Sequence, residues 1–138
     1  MKNQRYLAQS DAATLYQLAE QRLRLDGADL EAAEQLSDIV ATATRLLPST
    51  RRKDAIALNA SVSYASMSTG QAACITLVHP QNADGAAAKV SVLTPIGLAL
   101  IGRRCDTTVD VMLPSGNKEK IRILAVRNDD TLYRDTIS

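Results

Sequence analysis

The chain has 138 residues, which is the usual length of one compact domain. Hydrophobic residues make up 46% of the sequence and charged residues 22%, so a disordered or fibrous protein has no support in the composition. The 16 basic and 15 acidic residues leave a net charge of +1, which supplies no general field for attracting nucleic acid, and direct sequence-specific nucleic-acid binding is not expected.

No stretch of the sequence reaches the roughly 20 apolar residues that a membrane span needs. The N-terminus leads into no hydrophobic secretory run, so a cytoplasmic location without membrane contact is expected. Cys74 and Cys105 lack the CxxC spacing of zinc sites, which predicts two reduced thiols. Aromatic residues amount to 3%, with no Trp and no Phe, and this excludes pockets walled by several aromatic rings.

Residues 1–50 are rich in Ala, Leu, Glu and Gln and predict an antiparallel helical hairpin. Ser10 and Asp11 are suited to cap the first helix, where Asp11 also lies beside the positive end of the helix dipole. Gly27 is suited to end this helix, because glycine adopts the left-handed conformation without strain.

Asp29 is suited to cap the second helix of the hairpin. Apolar residues from Ala33 to Leu47 alternate spacings of three and four, which is typical of a helix that packs along a partner, and Pro48 is predicted to end it. About 15 residues per arm give a hairpin roughly 20 to 25 Å long. Apolar residues left over on the hairpin would let it pair with a second copy, so the oligomeric state stays open.

Residues 51–138 change to a composition rich in Val, Ile, Thr and Ser with a strand-like period, and they form the second predicted unit. The turn residues from Pro114 to Asn117 favour an antiparallel connection between the last two strands. The predicted fold class is therefore α+β, with a short helical hairpin followed by an antiparallel sheet and one short helix. Candidate strand segments are 56–64, 74–78, 89–93, 107–113 and 120–126.

Thr94 and Pro95 are predicted to begin the short helix. Thr94 is suited to cap it, and Pro95 suits the first helical position because the N–H that proline lacks is unpaired there in any case. Leu98 and Leu100 are expected to fill the core, and Gly102 is suited to end the helix.

His79 is the only histidine of the sequence, so a multi-histidine metal site is impossible. It is predicted to lie at a strand end without a catalytic role. The sequence contains no Gly-rich phosphate-binding run, so nucleotide hydrolysis and dinucleotide binding have no support. No catalytic residue, metal or cofactor is predicted.

Three carboxylates, Asp26, Asp29 and Glu31, surround the predicted hairpin tip. They fit two roles: they stabilise the start of the second helix, or they present oxygen ligands to a magnesium ion held by another molecule. The basic clusters Arg51–Lys53 and Arg103–Arg104 likewise fit either solvated loops or contacts with an acidic partner.

The segment Lys89–Gly102 resembles the strand-to-helix motif of the GreA/GreB C-terminal domain, in which a strand runs into Ser-Pro and then into an Ala- and Leu-rich helix. The resemblance continues through Asp106 and the turn at Pro114–Gly116. Upstream, Ile56–Val62 and Thr76–Pro80 are similar to the Rnk-like branch of this family, the regulators of nucleoside diphosphate kinase. The resemblance to the family covers most of the chain after the hairpin, whereas the hairpin itself is similar only in architecture.

The resemblance implies an FKBP-like domain that binds bacterial RNA polymerase at the helical rim of its secondary channel. The docking loop of the family matches Leu93, Thr94 and Pro95, followed by Ile96 and Gly97. Leu93 stands where GreB has an acidic residue, so a polar contact made by that factor would be lost or replaced by an apolar one.

Hairpin length separates two functional alternatives within the family. By resemblance, full-length Gre factors insert a long hairpin into the channel and bring two tip acids to the catalytic magnesium, which stimulates transcript cleavage. The hairpin predicted here reaches about half as far as an arm of roughly 30 residues, so Asp26, Asp29 and Glu31 are expected to fall short. The expectation is a non-enzymatic, Rnk-like regulator that competes with Gre-type factors, and the alternative is a cleavage-stimulating factor that uses these acids.

A hypothesis of another class is a prolyl isomerase, since the FKBP-like fold also hosts that activity. The site of those enzymes is lined with aromatic side chains. Tyr64 is the only tyrosine between Tyr16 and Tyr133, so this activity is disfavoured.

Overall fold

The computed structural model describes residues 4–25, 30–48, 53–113 and 116–128, together with the backbone of residues 131–134. A helical hairpin and a larger sheet with one short helix make up this part of the chain, which confirms the predicted α+β class. The helices are α1 (Gln9–Leu25), α2 (Leu30–Thr42) and α3 (Pro95–Leu100). The strands are β1 (Tyr6–Leu7), β2 (Thr44–Arg45), β3 (Ser61–Ser66), β4 (Ala72–Val78), β5 (Lys89–Ser91), β6 (Thr108–Met112), β7 (Lys118–Asn128) and β8 (Thr131–Arg134).

Helices α1 and α2 form the predicted hairpin, with 17 and 13 residues. At 1.5 Å per residue these lengths correspond to about 25 and 20 Å, as expected. The facing sides carry the apolar residues of the helical pattern, among them Leu15, Leu18 and Leu36, each of which is almost fully buried. The residues predicted to form the connection, Gly27 and Asp29, lie outside the described residues.

The second helix ends earlier than predicted, because the chain turns after Thr42 into β2. The N–H of Thr44 donates to the carbonyl of Arg5 at 2.9 Å, and β2 pairs in parallel with β1. These strand bonds take the place of further helical hydrogen bonds after Thr42. The apolar spacing of three and four residues therefore continues to Leu47, although the helix does not. Leu47 is 75% exposed, and the prediction that Pro48 ends the helix was wrong.

The larger sheet has the order β5-β4-β3-β7-β6, and β8 also pairs with β7. Its β3–β4, β3–β7, β6–β7 and β7–β8 pairs are antiparallel, as predicted. The first strand begins at Ser61 rather than near Ile56, and Ile56 is a fully buried loop residue. Of the predicted turn between β6 and β7, Pro114 and Ser115 lie outside the described residues, while the N–H of Leu113 donates to the carbonyl of Asn117 at 2.8 Å.

One pair of the sheet differs from the prediction, because β4 and β5 are parallel. Two short 3-10 turns, Pro80–Asn82 and Gly85–Ala87, connect these strands. They carry the chain back along β4, so that Lys89 begins β5 beside Thr76. The sheet is therefore mixed, and the expectation of an entirely antiparallel sheet was wrong at this edge.

The hairpin is joined to the sheet through its base. The N–H of Tyr6 donates to the carbonyl of Gly102 at 2.8 Å, and the N–H of Gly102 donates to the carbonyl of Ile56 at 2.8 Å. Gly102 has a φ of 78°, a conformation that glycine adopts without steric cost. Asp11, which is 7% exposed, accepts a hydrogen bond from the N–H of Leu58 at 3.2 Å, so a carboxylate of α1 holds a loop of the sheet unit.

Candidate docking groove

A network of short-range hydrogen bonds fixes the start of α3. The hydroxyl of Thr94 donates to the carbonyl of Ser91 at 2.7 Å and accepts from the N–H of Gly97 at 3.1 Å. The N–H of Leu93 donates to the hydroxyl of Ser91 at 3.0 Å. Thr94 is therefore the N-cap, with Pro95 at the first helical position, and the predicted start of the helix is confirmed.

The five residues matched to the family's docking loop differ in accessibility. Pro95 is exposed, Thr94 and Ile96 are half-buried, and Leu93 and Gly97 are buried. Pro95 is thus the exposed member of this set, at the beginning of a helix whose residues from Gly97 to Leu100 are buried.

Gly97 has a packing role. A Cβ atom at this position would lie 2.3 Å from the carbonyl oxygen of Ser91 and 2.8 Å from the Cα of Val92. Both distances are shorter than real Cβ atoms allow, so α3 approaches the turn after β5 closely because residue 97 has no side chain. Leu98 and Leu100 are 6% and 0% exposed, which confirms that they fill the core.

A groove of about 690 Å³ opens beside Pro95. Helix α3 packs against both α2 and β6, so these two elements form the walls and the segment 93–99 forms the floor. The apolar lining residues include Ala32, Ile39, Leu93, Leu98, Met112 and Leu113. The acidic lining residues are Glu31, Asp38 and Asp110. We call this cleft the α2–β6 groove.

Arg5 lies at the end of this groove and connects the N-terminal segment to α3. Its guanidinium donates to the carbonyls of Leu98 and Ile101, at 2.6 and 2.9 Å, where the helix has unpaired carbonyl oxygens. Burial lowers the pKa of Arg5 to about 9, and the nearby charge of Arg103 is the smaller cause. The side chain therefore remains charged at neutral pH.

The predicted tip acids are divided by the structure. Asp26 and Asp29 lie outside the described residues. Glu31 lies in the first turn of α2 and lines the α2–β6 groove, so this carboxylate belongs to a wall of the cleft.

The other residues considered for chemistry lie apart from the groove. His79 follows β4, as predicted for a strand-end histidine, and its Nδ1 accepts from the N–H of Gln81 at 3.3 Å. Cys74 is an exposed residue of β4, whereas Cys105 is buried. Across the described ranges, no group of three or more His, Cys, Asp or Glu side chains is placed to hold a metal ion, and no helix has the length and apolar character needed to cross a bilayer.

The walls of the groove were not found by sequence reasoning. Glu31 and Asp38 are seven residues apart on α2, a spacing that places them on one helix face, and this was the available indication of an acidic wall. Nothing in the local pattern of β6 indicates that Asp110 and Met112 lie across the cleft from that helix, because the placement depends on the tertiary packing of α3.

Comparisons with known proteins identify the family and the fold. Residues 51–128 match the family described as transcription elongation factor, GreA/GreB, C-term. The chain is 35% identical over 85 residues to transcription elongation factor GreA of Syntrophotalea carbinolica, a match that covers 62% of this chain and 54% of that protein. It is 28% identical over 97 residues to the regulator of nucleoside diphosphate kinase of Escherichia coli K12, which covers 70% and 71%.

A solved structure extends the similarity to the hairpin. The prokaryotic transcription elongation factor GreA/GreB from Nitrosomonas europaea superimposes with a TM-score of 0.70 and 26% identity, covering 91% of this chain and 98% of that one. The resemblance predicted from the strand-to-helix motif is thus confirmed. The chain spans about half of the GreA protein from Syntrophotalea carbinolica, at 54%.

Proposed function

The chain belongs to the GreA/GreB transcription elongation factor family, and we propose that it binds bacterial RNA polymerase beside the secondary channel, through Pro95 and the α2–β6 groove, without stimulating transcript cleavage. The exposure of Pro95 beside the groove is the observation that carries this proposal. Pro95 follows a capped turn and precedes buried residues, so little conformational freedom remains to be lost when a partner contacts it.

The hairpin length supports the absence of cleavage. Arms of 17 and 13 residues give about 25 and 20 Å of helix, which suits occupation of a channel entrance rather than delivery of a carboxylate deep inside it. Glu31, in the first turn of α2, also lines the groove, so its carboxylate belongs to the surface proposed for docking. Occupation of the entrance would make the protein a competitor of Gre-type factors.

The test combines binding and activity in one sample. Purified bacterial RNA polymerase core is recovered with the protein, and stalled elongation complexes in the same tubes are assayed for shortening of the transcript. We expect recovery of the protein without transcript cleavage. Cleavage would mean that the hairpin reaches the catalytic centre, and absence of binding would remove the proposal altogether.

A double substitution, Thr94→Asp with Pro95→Ala, tests the contact surface. Asp keeps a side-chain oxygen for the N–H of Gly97 but loses the hydroxyl that donates to the carbonyl of Ser91, while the exposed ring is lost and a charge is added. We expect polymerase binding at least about tenfold weaker, in a variant that still folds but whose free energy of unfolding is lower by about 1 kcal/mol because of the lost bond to Ser91. Pro80→Ala is the matched control, because Pro80 also begins a helical turn after a side-chain cap and does not line the groove. Loss of folding by the double variant would show that the segment is structural.

A further inference from the structure

Arg5 contacts both the helix at the floor of the α2–β6 groove and the strand that follows the α2 wall. Its guanidinium nitrogen Nη1 donates to the carbonyls of Leu98 and Ile101 at 2.6 and 2.9 Å. Its main-chain carbonyl accepts from the N–H of Thr44 at 2.9 Å, two residues after α2 ends. One residue therefore joins the C-terminal end of α3 to the C-terminal end of α2.

The bonds from Arg5 to α3 are bonds that this helix does not make within itself. The N–H of Gly102 is four residues after Leu98 and would be the helical partner of its carbonyl, but it donates to the carbonyl of Ile56 at 2.8 Å. A cation is favoured beside such carbonyls at a helix C-terminus. A Cβ atom at Gly102 would lie 3.1 Å from the Cβ of Arg5, so the absence of a side chain at Gly102 leaves room for the arginine to reach α3.

Open space separates the α2 wall from the other side of the groove. Where side chains interdigitate, their close packing fixes the distance between two elements. The groove has a volume of about 690 Å³, and across this volume no such packing sets the distance. The separation of α2 from α3 and β6 therefore depends on contacts at the ends of the groove, and Arg5 lies at one of these ends.

Other hydrogen bonds also join the hairpin to the sheet unit, but they reach residues outside α3. The N–H of Tyr6 bonds to the carbonyl of Gly102, and the carboxylate of Asp11 bonds to the N–H of Leu58. These two bonds hold the N-terminal segment and α1. Arg5 extends the connection into α3 itself, which is the element that carries the docking residues.

We propose that Arg5 is a positioning residue that holds the α2 wall and the α3 floor at the separation that RNA polymerase recognises. This inference rests on the proposed function, because it states what fixes the shape of the docking groove. A residue can act in this way without touching the partner, since affinity falls in proportion to the fraction of molecules that keep the binding-competent geometry. Loss of the Arg5 side chain is therefore expected to weaken binding by changing the width of the groove.

The distance across the groove is the first measurement. Glu34 on α2 and Thr108 on β6 are exposed and do not line the groove, and β6 packs against α3. Cysteines introduced at these two positions carry spin labels, in a Cys74→Ser background because Cys74 is exposed whereas Cys105 is buried. Pulsed electron paramagnetic resonance gives the distribution of distances. Arg5→Met keeps an unbranched stem without donors, and we expect it to shift or broaden this distribution.

Two further variants separate positioning from a general loss of stability. Arg5→Lys keeps a cation with three donors, at a nitrogen one bond closer to the main chain than Nη1, so it should restore part of the wild-type distribution and affinity. Arg45→Met is the matched control. Arg45 also donates to a carbonyl at a helix end, that of Val40 at 3.1 Å, but this bond stays within the hairpin and Arg45 does not line the groove. Its removal should leave the distance and the polymerase binding unchanged.

Binding of the same proteins to RNA polymerase core is the second measurement. We expect Arg5→Met to bind at least about tenfold more weakly, which corresponds to about a tenth of the molecules keeping the wild-type distance. The fold-loss of affinity and the fraction read from the distance distribution should agree, and general destabilisation of a protein that remains folded would not produce this relation. Circular dichroism establishes folding, and Arg5→Lys carries the same comparison if Arg5→Met does not fold.

The outcomes distinguish this inference from the proposed function. Weaker binding by Arg5→Met with a wild-type distance distribution would mean that Arg5 contacts the polymerase directly, and the positioning role would be refuted. Wild-type binding in spite of a changed distribution would refute it as well. If the wild type itself does not bind polymerase, the proposed function fails, whereas the distances in the free protein still decide whether Arg5 sets the width of the groove.

Discussion

The substitution Gly97→Ala tests how closely α3 is packed. The new Cβ would lie 2.3 Å from the carbonyl oxygen of Ser91, whereas ordinary contacts begin at 3.4 Å, so α3 or the turn after β5 must move by about 1 Å. Overpacking of this kind costs about 1 to 3 kcal/mol and occasionally more. Alanine recovers up to about 1 kcal/mol through its higher helix propensity. Since the obstacle is backbone rather than a flexible side chain, we expect a net loss of about 2 kcal/mol in the free energy of unfolding.

Urea unfolding followed by circular dichroism measures this loss. With an m-value of about 2 kcal/mol per molar urea, the midpoint should fall by about 1 M. Gly85→Ala is the matched control, because a Cβ at Gly85 meets nothing within 4 Å, and its midpoint should be unchanged or slightly higher. An unchanged or raised midpoint for Gly97→Ala would refute the close packing of α3, and with it the geometry assigned to the groove floor.

Two further predictions concern the sheet and the base of the hairpin. Burial, and secondarily the charge of Glu119, raises the pKa of Tyr64 above 10.0. Above about pH 10 the unfolded chain therefore loses this proton before the folded chain does, and the protein becomes less stable. Tyr64→Phe should therefore reduce the fall in urea midpoint between pH 8 and pH 10.5, and equal falls in both proteins would contradict the assignment. Asp11→Ala leaves the half-buried N–H of Leu58 without its carboxylate acceptor and should lower the free energy of unfolding by about 1 kcal/mol. Asp11→Asn should lose less, and thermal melts of the two variants compare them.

The parts of the fold that were predicted correctly depend on local chemistry. Thr94 and Pro95 specify a helix start through a side-chain acceptor and a fixed φ, and neither property requires knowledge of the rest of the chain. The apolar spacing around Leu36 specifies the hairpin in the same way. One error occurs where a long-range pairing competes with local preference, because β1 takes the chain after Thr42 out of the helix. The other occurs because two short 3-10 turns after β4 return the chain along that strand, which makes β5 parallel to it.

The groove could not be predicted for the same physical reason. Its acidic residues, Glu31, Asp38 and Asp110, come from a helix and a strand far apart in the sequence, and the floor between them depends on the absence of a side chain at Gly97. The sequence predicts Glu31 near the hairpin tip, and the structure places it in the first turn of α2. The structure adds that Glu31 also lines the groove, which could not be predicted from its position in the sequence.

Under the proposed function, the hairpin contributes to binding in a way that does not depend on its length. Helix α2 supplies one wall of the groove, and the guanidinium of Arg5 joins the base of the hairpin to the C-terminal carbonyls of α3. A hairpin with arms of this length still forms the groove wall, because the residues of α2 that line the groove, from Glu31 to Ile39, all lie within its 13 residues. If polymerase binds through the groove as proposed, the hairpin is part of the binding surface whether or not its tip reaches the catalytic centre.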